Sequence, residues 1–453
     1  MTSSSASVSK ARRWLMLLFV SIVIGTNYYA YDALSSIKET LQVEIGISST
    51  DYGVIVAFYS FPNTFLLMAV LGGIFLDRYG IRRTGFLFTL ACALGVLCTA
   101  YGASELFRSG QGPLYRLLGG FLPQYSSELK LMIFGRLLFG LGAETSIVVI
   151  NKIIAKWFKG KELAFAFAVN LAIARLGTAA ALILSPVLIE APTGWTTAVW
   201  VAAVAMGVGF LFFVVYMLYE RKTEAGQDDQ ALLAEDEQFR WSDITDLLKN
   251  RAFLFITALC VTFYSAIFPF QAFCPDFLHN KFGLSLKLSG GLTSLIIWGT
   301  IVFTPLFGWF VDRRGKRATL MFYGSGMLLI SHLILALTDL TPYVAMFVLG
   351  IAFSLVPAAM WPSVALLVEE RRLGTAYGLM TSIQNLGLFS FPILAGRITD
   401  AANPGITIEM LQAGQANLDY TRTILMFAAL GLVGFAFSYL LKRASPRLEV
   451  PEE

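Results

Sequence analysis

The fold is decided by the stretch from Phe134 to Thr178, which reads FGRLLFGLGAETSIVVINKIIAKWFKGKELAFAFAVNLAIARLGT. Two apolar segments of helical length flank a basic corner at residues 156–161, and near its middle each segment carries one charge, Glu144 or Arg175. Both charges lie about 13 residues from the corner, or roughly 20 Å along a membrane-spanning helix. A charged side chain in hydrocarbon costs at least about 2.5–3.5 kcal/mol unless it faces a partner or a wet cavity. We therefore expect a binding cavity near mid-membrane.

The composition is that of a bilayer protein. Of 453 residues, 56% are hydrophobic and 14% are charged, whereas soluble domains carry about 25% charged residues. The apolar composition makes the lipid bilayer an expected partner. The net charge of +4 is small, and nucleic acid is not an expected partner. The sequence has no phosphate loop, metal cluster or nucleophile–base pair. We therefore expect neither an enzyme nor a protein with a cofactor or metal.

Apolar segments of spanning length recur along the whole chain and predict an all-α membrane protein with twelve transmembrane helices. The predicted helices cover approximately residues 14–37, 51–76, 84–102, 129–157, 162–190, 195–219, 251–278, 288–311, 318–338, 342–368, 372–399 and 419–441.

Charge sets the predicted topology and the division into domains. Most of the 34 lysines and arginines fall in alternate connections, which predicts that these connections and both termini are cytoplasmic. Residues 220–250 form the most acidic stretch, and we interpret them as a cytoplasmic linker with a short amphipathic helix from Asp243 to Asn250. The linker divides the chain into a first six-helix bundle at 1–219 and a second at 251–453.

The halves share a repeated motif. GIFLDRYGIRR, beginning at Gly73, returns as GWFVDRRGKR, beginning at Gly308. A carboxylate at a helix end can pair with neighbouring arginines and with a helix N-terminus, so these contacts could close the cytoplasmic side and break when it opens. The predicted gating residues are Asp77, Arg78, Arg82, Asp312 and Arg313, together with Arg136 on the fourth helix, for which a purely structural role is the alternative.

Two six-helix bundles with this repeated loop resemble the major facilitator superfamily, and the resemblance covers the whole chain. Finer motifs are similar to the major facilitator superfamily domain-containing protein 1 family: YSFPN at 59–63, WFKGKEL at 157–163, LGTAYG at 373–378 and SIQNLG at 382–387. The resemblance implies two pseudo-symmetric bundles and a dipeptide uniporter. It also implies that Glu144 engages the peptide amine and Arg175 the peptide carboxylate.

The chemistry of the residues agrees with this interpretation. A dipeptide is a small zwitterion, and a carboxylate on one wall with a guanidinium on another can pair with both of its ends. When the site is empty, Glu144 and Arg175 could neutralise one another directly or through water. Further polar and aromatic groups are expected at similar depth, namely Asn27, Tyr28, Tyr59, Asn63, Trp361, Gln384 and Asn385. For Asp32, near the outer end of the first helix, we favour a structural role as a helix-end contact, and a role as a proton acceptor is the alternative.

Alternating access of the two halves around Glu144 and Arg175 is the leading hypothesis, and two alternatives stay open. The first is a proton-coupled symporter of an organic anion or peptide, in which Glu144 couples the proton. The second is a non-transporting receptor on the same fold. The favoured location is a bacterial inner membrane, with a lysosomal or plasma membrane as alternatives, and the need for an accessory subunit is undecided.

Overall fold

The computed structural model describes residues 10–110, 112–158, 160–223, 241–369 and 372–450, and these ranges contain helices and no strand. We call residues 10–223 the N-terminal half and residues 241–450 the C-terminal half. The N-terminal half contains α1 (Lys10–Asp32), α2 (Lys38–Ile45), α3 (Ser49–Ala57), α4 (Phe61–Phe65), α5 (Met68–Ala103), α6 (Glu105–Arg108), α7 (Pro113–Gly119), α8 (Ser127–Phe158), α9 (Leu163–Leu188) and α10 (Thr197–Thr223).

The C-terminal half contains α11 (Trp241–Lys249), α12 (Arg251–Phe282), α13 (Leu286–Arg314), α14 (Arg317–Leu337), α15 (Pro342–Leu367), α16 (Leu373–Ala402), α17 (Ile408–Gln412) and α18 (Thr421–Ala444). Across the described ranges, eleven helices are long and apolar enough to cross a membrane: α1 with its continuation to Ile45, α5, α8, α9, α10, α12, α13, α14, α15, α16 and α18. The all-helical membrane fold predicted from hydropathy is confirmed.

The count differs from twelve because the second predicted span is broken. Residues 51–76 are divided among α3, α4 and the start of α5. The backbone at Leu67 is left-handed, with φ 52°, and the Asn63 side-chain oxygen accepts a hydrogen bond from the Ala69 N–H at 2.9 Å. The second and third predicted spans then join in α5 through Gly80, whose φ of 75° and ψ of 168° turn the chain.

The ends of the helices define two faces. The turn at Gly80, the connection between α8 and α9 and the connection between α13 and α14 lie on one side, which we call the basic face because Arg82, Lys156 and Arg313 lie there. The other side, which we call the opposite face, holds the connection from α5 to α8.

The predicted linker residues 224–240 lie outside the described ranges. On the basic face Arg372 pairs with Asp243 of α11 at 3.2 Å.

The buried apolar residues form two clusters, and their positions differ. The larger cluster contains residues of both halves, including Leu41 and Tyr52 from one and Phe273 and Phe277 from the other. The smaller cluster lies near the basic face and packs α1, α8, α9 and α10 of the N-terminal half, with Met16, Val20, Ile150, Ile154 and Phe213 among its members. The halves therefore share a core toward the opposite face.

Helices α3 and α16 cross between the halves in very close contact. A Cβ atom added at Gly53 would lie 2.2 Å from the carbonyl oxygen of Pro392, and one added at Gly396 would lie 2.2 Å from that of Ser49. Only glycine permits such backbone approach. This contact brings the two halves together beside the opposite face.

Candidate functional site

A cavity of about 230 Å³ lies between the two halves at the middle of the long helices. Its wall combines charged, amide and aromatic groups, which is typical of a small-molecule site. The lining residues are Asn27, Tyr28, Tyr31, Asp32, Tyr59, Ala143, Glu144, Ile147, Arg175, Tyr264, Phe268, Thr381, Gln384, Asn385 and Leu388. Seven of the nine predicted binding residues are in this wall, and Asn63 and Trp361 are not.

Glu144 of α8 is half-buried in the wall. The side-chain nitrogen of Asn63 lies 3.4 Å from the Glu144 Oε2 atom, which is a long hydrogen bond. Asn63 is itself buried and holds the start of α5 through Ala69. Asn63 therefore stands behind the carboxylate instead of lining the cavity, although it was predicted as a binding residue.

Arg175 of α9 is also half-buried, and aromatic rings hold its guanidinium. The guanidinium carbon lies 6.0 Å from the centre of the Tyr28 ring and 5.1 Å from that of Phe353 on α15. Such cation–π contacts orient a guanidinium without neutralising it. In the described chain, Arg175 and Glu144 form no direct ion pair, so the direct neutralisation expected for an empty site is not observed.

Buried amides complete the polar part of the wall. Both side-chain atoms of Asn27 lack a hydrogen-bond partner within the described residues, as does Oδ1 of Asn385. The Asn385 nitrogen donates to the carbonyl of Thr381 at 3.0 Å. A buried polar group without a partner costs about 1–3 kcal/mol, so these amides in a cavity wall are suited to binding a polar ligand.

Asp32 lines the cavity, although the sequence analysis favoured a structural role for it. It is 3% exposed, and Oδ1 accepts a hydrogen bond from the Gln271 side chain of α12 at 3.0 Å. Asn27, Tyr28, Tyr31 and Asp32 follow helical spacing on α1, so the shared helix face was the signal that could have found it. The wall consequently contains two carboxylates and one guanidinium.

Two further aromatic residues of the wall, Tyr264 and Phe268, come from α12, and the sequence analysis did not select them. Tyr264 and Phe268 stack with ring centres 5.6 Å apart. Trp361, a predicted binding residue, is outside the lining, because its indole nitrogen donates to the Tyr264 hydroxyl at 2.8 Å. The hydroxyl of Tyr377 in turn donates to the Trp361 carbonyl at 3.0 Å. Trp361 therefore supports Tyr264 from behind.

Exposure along the cavity helices shows where the cavity opens. On α9, Leu171 is exposed, Arg175 is half-buried and Thr178 is buried. On α8, Asn151 is exposed whereas Glu144 is half-buried. Residues three, four or seven apart share a helix face. Exposure thus decreases along these cavity-facing rows from the basic face toward the opposite face, so the cavity opens to the basic face.

The opposite face is closed by a buried cluster that joins the halves. Lys38 of α2 donates to Asp276 of α12 at 2.6 Å and to the Tyr420 hydroxyl at 2.9 Å. The Lys38 ammonium also donates to Gln42, and the Tyr420 hydroxyl donates to Asp276. Lys38, Asp276 and Tyr420 are each 1% exposed.

A second polar contact closes the same face. The carboxylate of Asp400 on α16 accepts hydrogen bonds from the backbone N–H groups of Ser49 and Thr50 at 3.0 and 2.8 Å. The Thr50 hydroxyl donates to it at 2.6 Å. A carboxylate at the N-terminus of a helix is stabilised by the helix dipole, so Asp400 holds the start of α3 against the C-terminal half.

The predicted gating residues make contacts inside one half. Asp77 accepts a hydrogen bond from Lys152 of α8 at 2.7 Å, and Arg82 pairs with Glu220 of α10 at 3.1 Å. The remaining repeat residues lie near the basic face, with Arg78 over the Tyr79 ring, Arg313 over the Trp309 ring and Asp312 exposed.

Arg136 lies away from these residues, in the interior of the N-terminal half. It is 3% exposed and donates to the carbonyl oxygens of Ala30 and Tyr31 at 3.3 Å each. Its guanidinium also lies over the rings of Tyr31, Tyr59 and Phe139. These contacts brace α8 against α1, and a part for Arg136 in gating stays a prediction.

Comparisons with known proteins agree with this architecture. A family model described as Major Facilitator Superfamily matches residues 17–392. The chain therefore belongs to the Major Facilitator Superfamily, and it is a multi-pass membrane transporter. The resemblance to this superfamily in the sequence analysis is confirmed.

Two sets of relatives refine the comparison. The chain is 31% identical over 402 residues to the lysosomal dipeptide transporter MFSD1 of Homo sapiens, with 86% of this chain and 81% of that protein covered. It is 30% identical over 444 residues to the Bos taurus protein of the same name, covering 96% and 89%. A hexuronate transporter of Bacillus subtilis (strain 168) is 24% identical over 456 residues, covering 96% and 97%.

Solved structures share the fold at low sequence identity. A bacterial homolog of the human lysosomal transporter Spinster, inward-facing and occupied, superimposes with a TM-score of 0.72 at 14% identity, covering 98% of this chain and all of that chain. The nucleoside transporter NupG gives a TM-score of 0.65 at 16% identity, covering 95% and 98%. These likenesses establish the fold alone.

Proposed function

We propose that this protein transports dipeptides across its membrane as a uniporter that works by alternating access. The observation that carries the proposal is the placement of Glu144 and Arg175 in one cavity wall without an ion pair between them. The similarity to the lysosomal dipeptide transporters supports the substrate class. Each charge is then free to bind one end of a zwitterion.

In this proposal Glu144 and Arg175, which we call the clamp, bind opposite ends of the substrate. Arg175 offers two parallel N–H donors to the substrate carboxylate, and its ring contacts pre-orient the guanidinium. Glu144 accepts hydrogen bonds from the substrate ammonium. Asn27, Gln384 and Asn385 are placed to bind the peptide group between the two ends. This arrangement depends on the termini, so it tolerates varied side chains.

The cavity size favours a short substrate. Ligand sites are commonly about 300–1,000 Å³, and this cavity is smaller at about 230 Å³. A longer peptide would overshoot one of the two charges, whereas a single amino acid could not span them.

The direction of opening supports alternating access. A cavity open to the basic face and sealed at the opposite face corresponds to one of the two states in a rocking cycle. By the distribution of basic residues, we place the basic face and both termini in the cytoplasm. The state described is then inward-facing, in a bacterial inner membrane as the favoured location. The alternative is a lysosomal membrane, since the names of the MFSD1 relatives describe them as lysosomal.

A second candidate function is proton-coupled symport, and Asp32 favours it. The wall holds two carboxylates and one guanidinium, so the carboxylates outnumber the cation in the wall and one of them is available to carry a proton. Under this candidate, transport would depend on a proton gradient, which uniport does not require.

Transport by purified protein in liposomes tests the proposal. We expect exchange of a labelled dipeptide with equal pH on both sides, because uniport needs no proton gradient. Uptake only with acid outside would replace uniport by symport. No flux under any condition, with binding retained, would favour the receptor alternative.

Binding by two cavity variants tests the clamp. Glu144→Gln and Arg175→Ala should each weaken dipeptide binding at least about 30-fold, because removing one partner of a desolvated charge pair costs about 2–5 kcal/mol. Ligand-induced thermal stabilisation of the full-length protein measures the affinity. Glu409→Gln, an exposed carboxylate on α17, is the matched control and should bind like the unmodified protein. Unaltered affinity in both cavity variants would refute the clamp.

A further inference from the structure

The connection between α5 and α8 exposes several large apolar side chains outside the spanning helices. Leu106 and Leu117 are 74% and 69% exposed. Other large apolar side chains in the same connection are exposed too, namely Leu114, Phe121, Leu122 and Tyr125. Exposed apolar patches on this scale mark an interaction surface. We call residues 104–110 and 112–126 the apolar connection.

The apolar connection is held in one position by its own contacts. The Lys130 ammonium at the start of α8 donates to the carbonyl oxygens of Leu118 and Phe121 at 2.7 and 2.6 Å, and it lies 5.0 Å from the Phe121 ring centre. The Ser127 hydroxyl donates to the Tyr115 carbonyl at 3.1 Å. These bonds fix the carbonyl side of α7 and leave Leu114 and Leu117 exposed.

Aromatic contacts tie the other end of the connection to α5. The rings of Tyr101 and Phe107 lie 5.3 Å apart, and those of Phe107 and Tyr115 lie 5.2 Å apart. Phe107 is buried. The connection is therefore a folded cap over the ends of α5 and α8 on the opposite face.

The exposed leucines continue the outward surface of the spanning helices. Leu87, Leu94 and Leu97 of α5 are exposed at helical spacing, as expected for a row that faces lipid. Leu106 lies just past the end of α5, in α6, and is exposed as well. Exposed apolar side chains therefore occur both on the lipid-facing row and in the adjoining connection, with the exposed Glu105 between them. Because the two surfaces are adjacent, the same lipid leaflet is expected to cover both.

The polar groups of the connection suit the headgroup layer. Arg116 is exposed between Leu114 and Leu117 on α7, and Tyr125 follows in the same connection. Leucine and phenylalanine with interspersed arginine and tyrosine are typical of segments that lie at the bilayer interface. A guanidinium there can bind lipid phosphate.

We infer that the apolar connection is an interfacial anchor that lies in the lipid leaflet of the opposite face, with Leu106, Leu114, Leu117 and Phe121 inserted below the headgroups. The anchor fixes the depth of α5 and α8 in the membrane while the C-terminal half moves. The occupant of this surface is lipid.

Spin labels on the full-length protein in phosphatidylcholine vesicles test the anchor. Leu117→Cys and Phe121→Cys are labelled separately in a Cys98→Ser background, because Cys92, Cys260 and Cys274 are buried. Relaxation by oxygen, which concentrates in lipid, is compared with relaxation by a water-soluble nickel complex. Leu97→Cys on the lipid-facing row is the lipid reference, and Glu409→Cys, exposed on the opposite face, is the water reference.

The anchor predicts that both labels relax severalfold faster with oxygen than with the nickel complex, as at Leu97. Two independent positions keep the test valid if one label disturbs its site. If both labels behave like the one at Glu409, the connection is in water and the inference is wrong. If both are immobilised and shielded from both reagents, a protein surface covers the connection, and the inference is equally overturned.

Discussion

The two faces of this transporter use charged residues in different ways. On the opposite face, Lys38 pairs with Asp276 and Asp400 binds the start of α3, and both contacts join the N-terminal half to the C-terminal half. On the basic face, the pairs Asp77–Lys152 and Arg82–Glu220 stay within the N-terminal half. The difference teaches that ion pairs between halves mark the closed side, whereas pairs within a half leave the other side free to open.

Breaking the buried pair on the opposite face should give the largest effect. Asp276→Asn leaves the Lys38 ammonium buried without its counter-charge, and the loss of one partner of a buried ion pair costs about 3–5 kcal/mol. We expect a lower melting temperature. Access to the cavity is measured with a thiol introduced by Phe268→Cys. We expect this thiol to react faster with a membrane-impermeant reagent applied from the opposite face when Asp276→Asn is also present than when it is absent.

Asp419→Asn is the matched control for this prediction, because Asp419 adjoins Tyr420 in sequence but is exposed. It should leave both measurements close to those of the unmodified protein. If Asp276→Asn melts and reacts as the unmodified protein does, the buried pair does not hold the face closed.

A smaller effect on stability is expected on the basic face. The Asp77–Lys152 pair is partly exposed, and such pairs contribute about 0–1 kcal/mol. Asp77→Asn should therefore leave folding and dipeptide affinity nearly unchanged. It should lower the transport rate severalfold, because the carboxylate of the repeated motif is then missing when the basic face closes. Liposome flux measures the rate, with the exposed Asp339→Asn as control. An unaltered rate at equal protein content would reject the gate.

The smallest effect is expected at the exposed pair of Lys10 and Glu162, which lie 3.0 Å apart. The hydrogen bond from Lys10 lowers the pKa of the Glu162 carboxyl. Because the folded pKa is below the unfolded one, the contribution is complete at neutral pH and fades as pH falls below about 4.3. Glu162→Gln should lower the melting temperature slightly at pH 7.

This small difference should vanish when the carboxyl is protonated. Melting of both proteins at pH 7 and near pH 3 checks the sign, and Asp339→Asn, an exposed carboxylate away from Lys10, serves as a control. A difference that grows toward acid pH would contradict the assignment of the pair.

Sequence reasoning predicted the helices and the main charges of the cavity, because hydropathy and the cost of a buried charge are local properties. It placed Glu144 and Arg175 at one depth, and both line the cavity. It did not predict the break around Leu67, since a left-handed leucine depends on tertiary contacts. Nor did it separate Tyr264, which lines the cavity, from Trp361, which supports it, because aromatic residues in apolar helices have the same local pattern.

Asp32 and Arg136 show the same limit from the polar side. Both are buried charges in spanning helices, so the sequence identifies each as costly but not what each faces. Asp32 faces the cavity with Gln271 beside it, whereas Arg136 donates to the backbone carbonyl groups of α1. The neighbour that decides between these outcomes lies on another helix, beyond the reach of local spacing.

The glycine contact between α3 and α16 has a mechanical consequence. Gly53 and Gly396 let two backbones touch where bulky side chains would otherwise interlock. At this crossing no side chain has to withdraw from between the two backbones, so resistance to separation comes from the neighbouring polar bonds and from the apolar core that the halves share. Helices α3 and α16 can therefore separate without a change in their own structure once the contacts around the two glycines break.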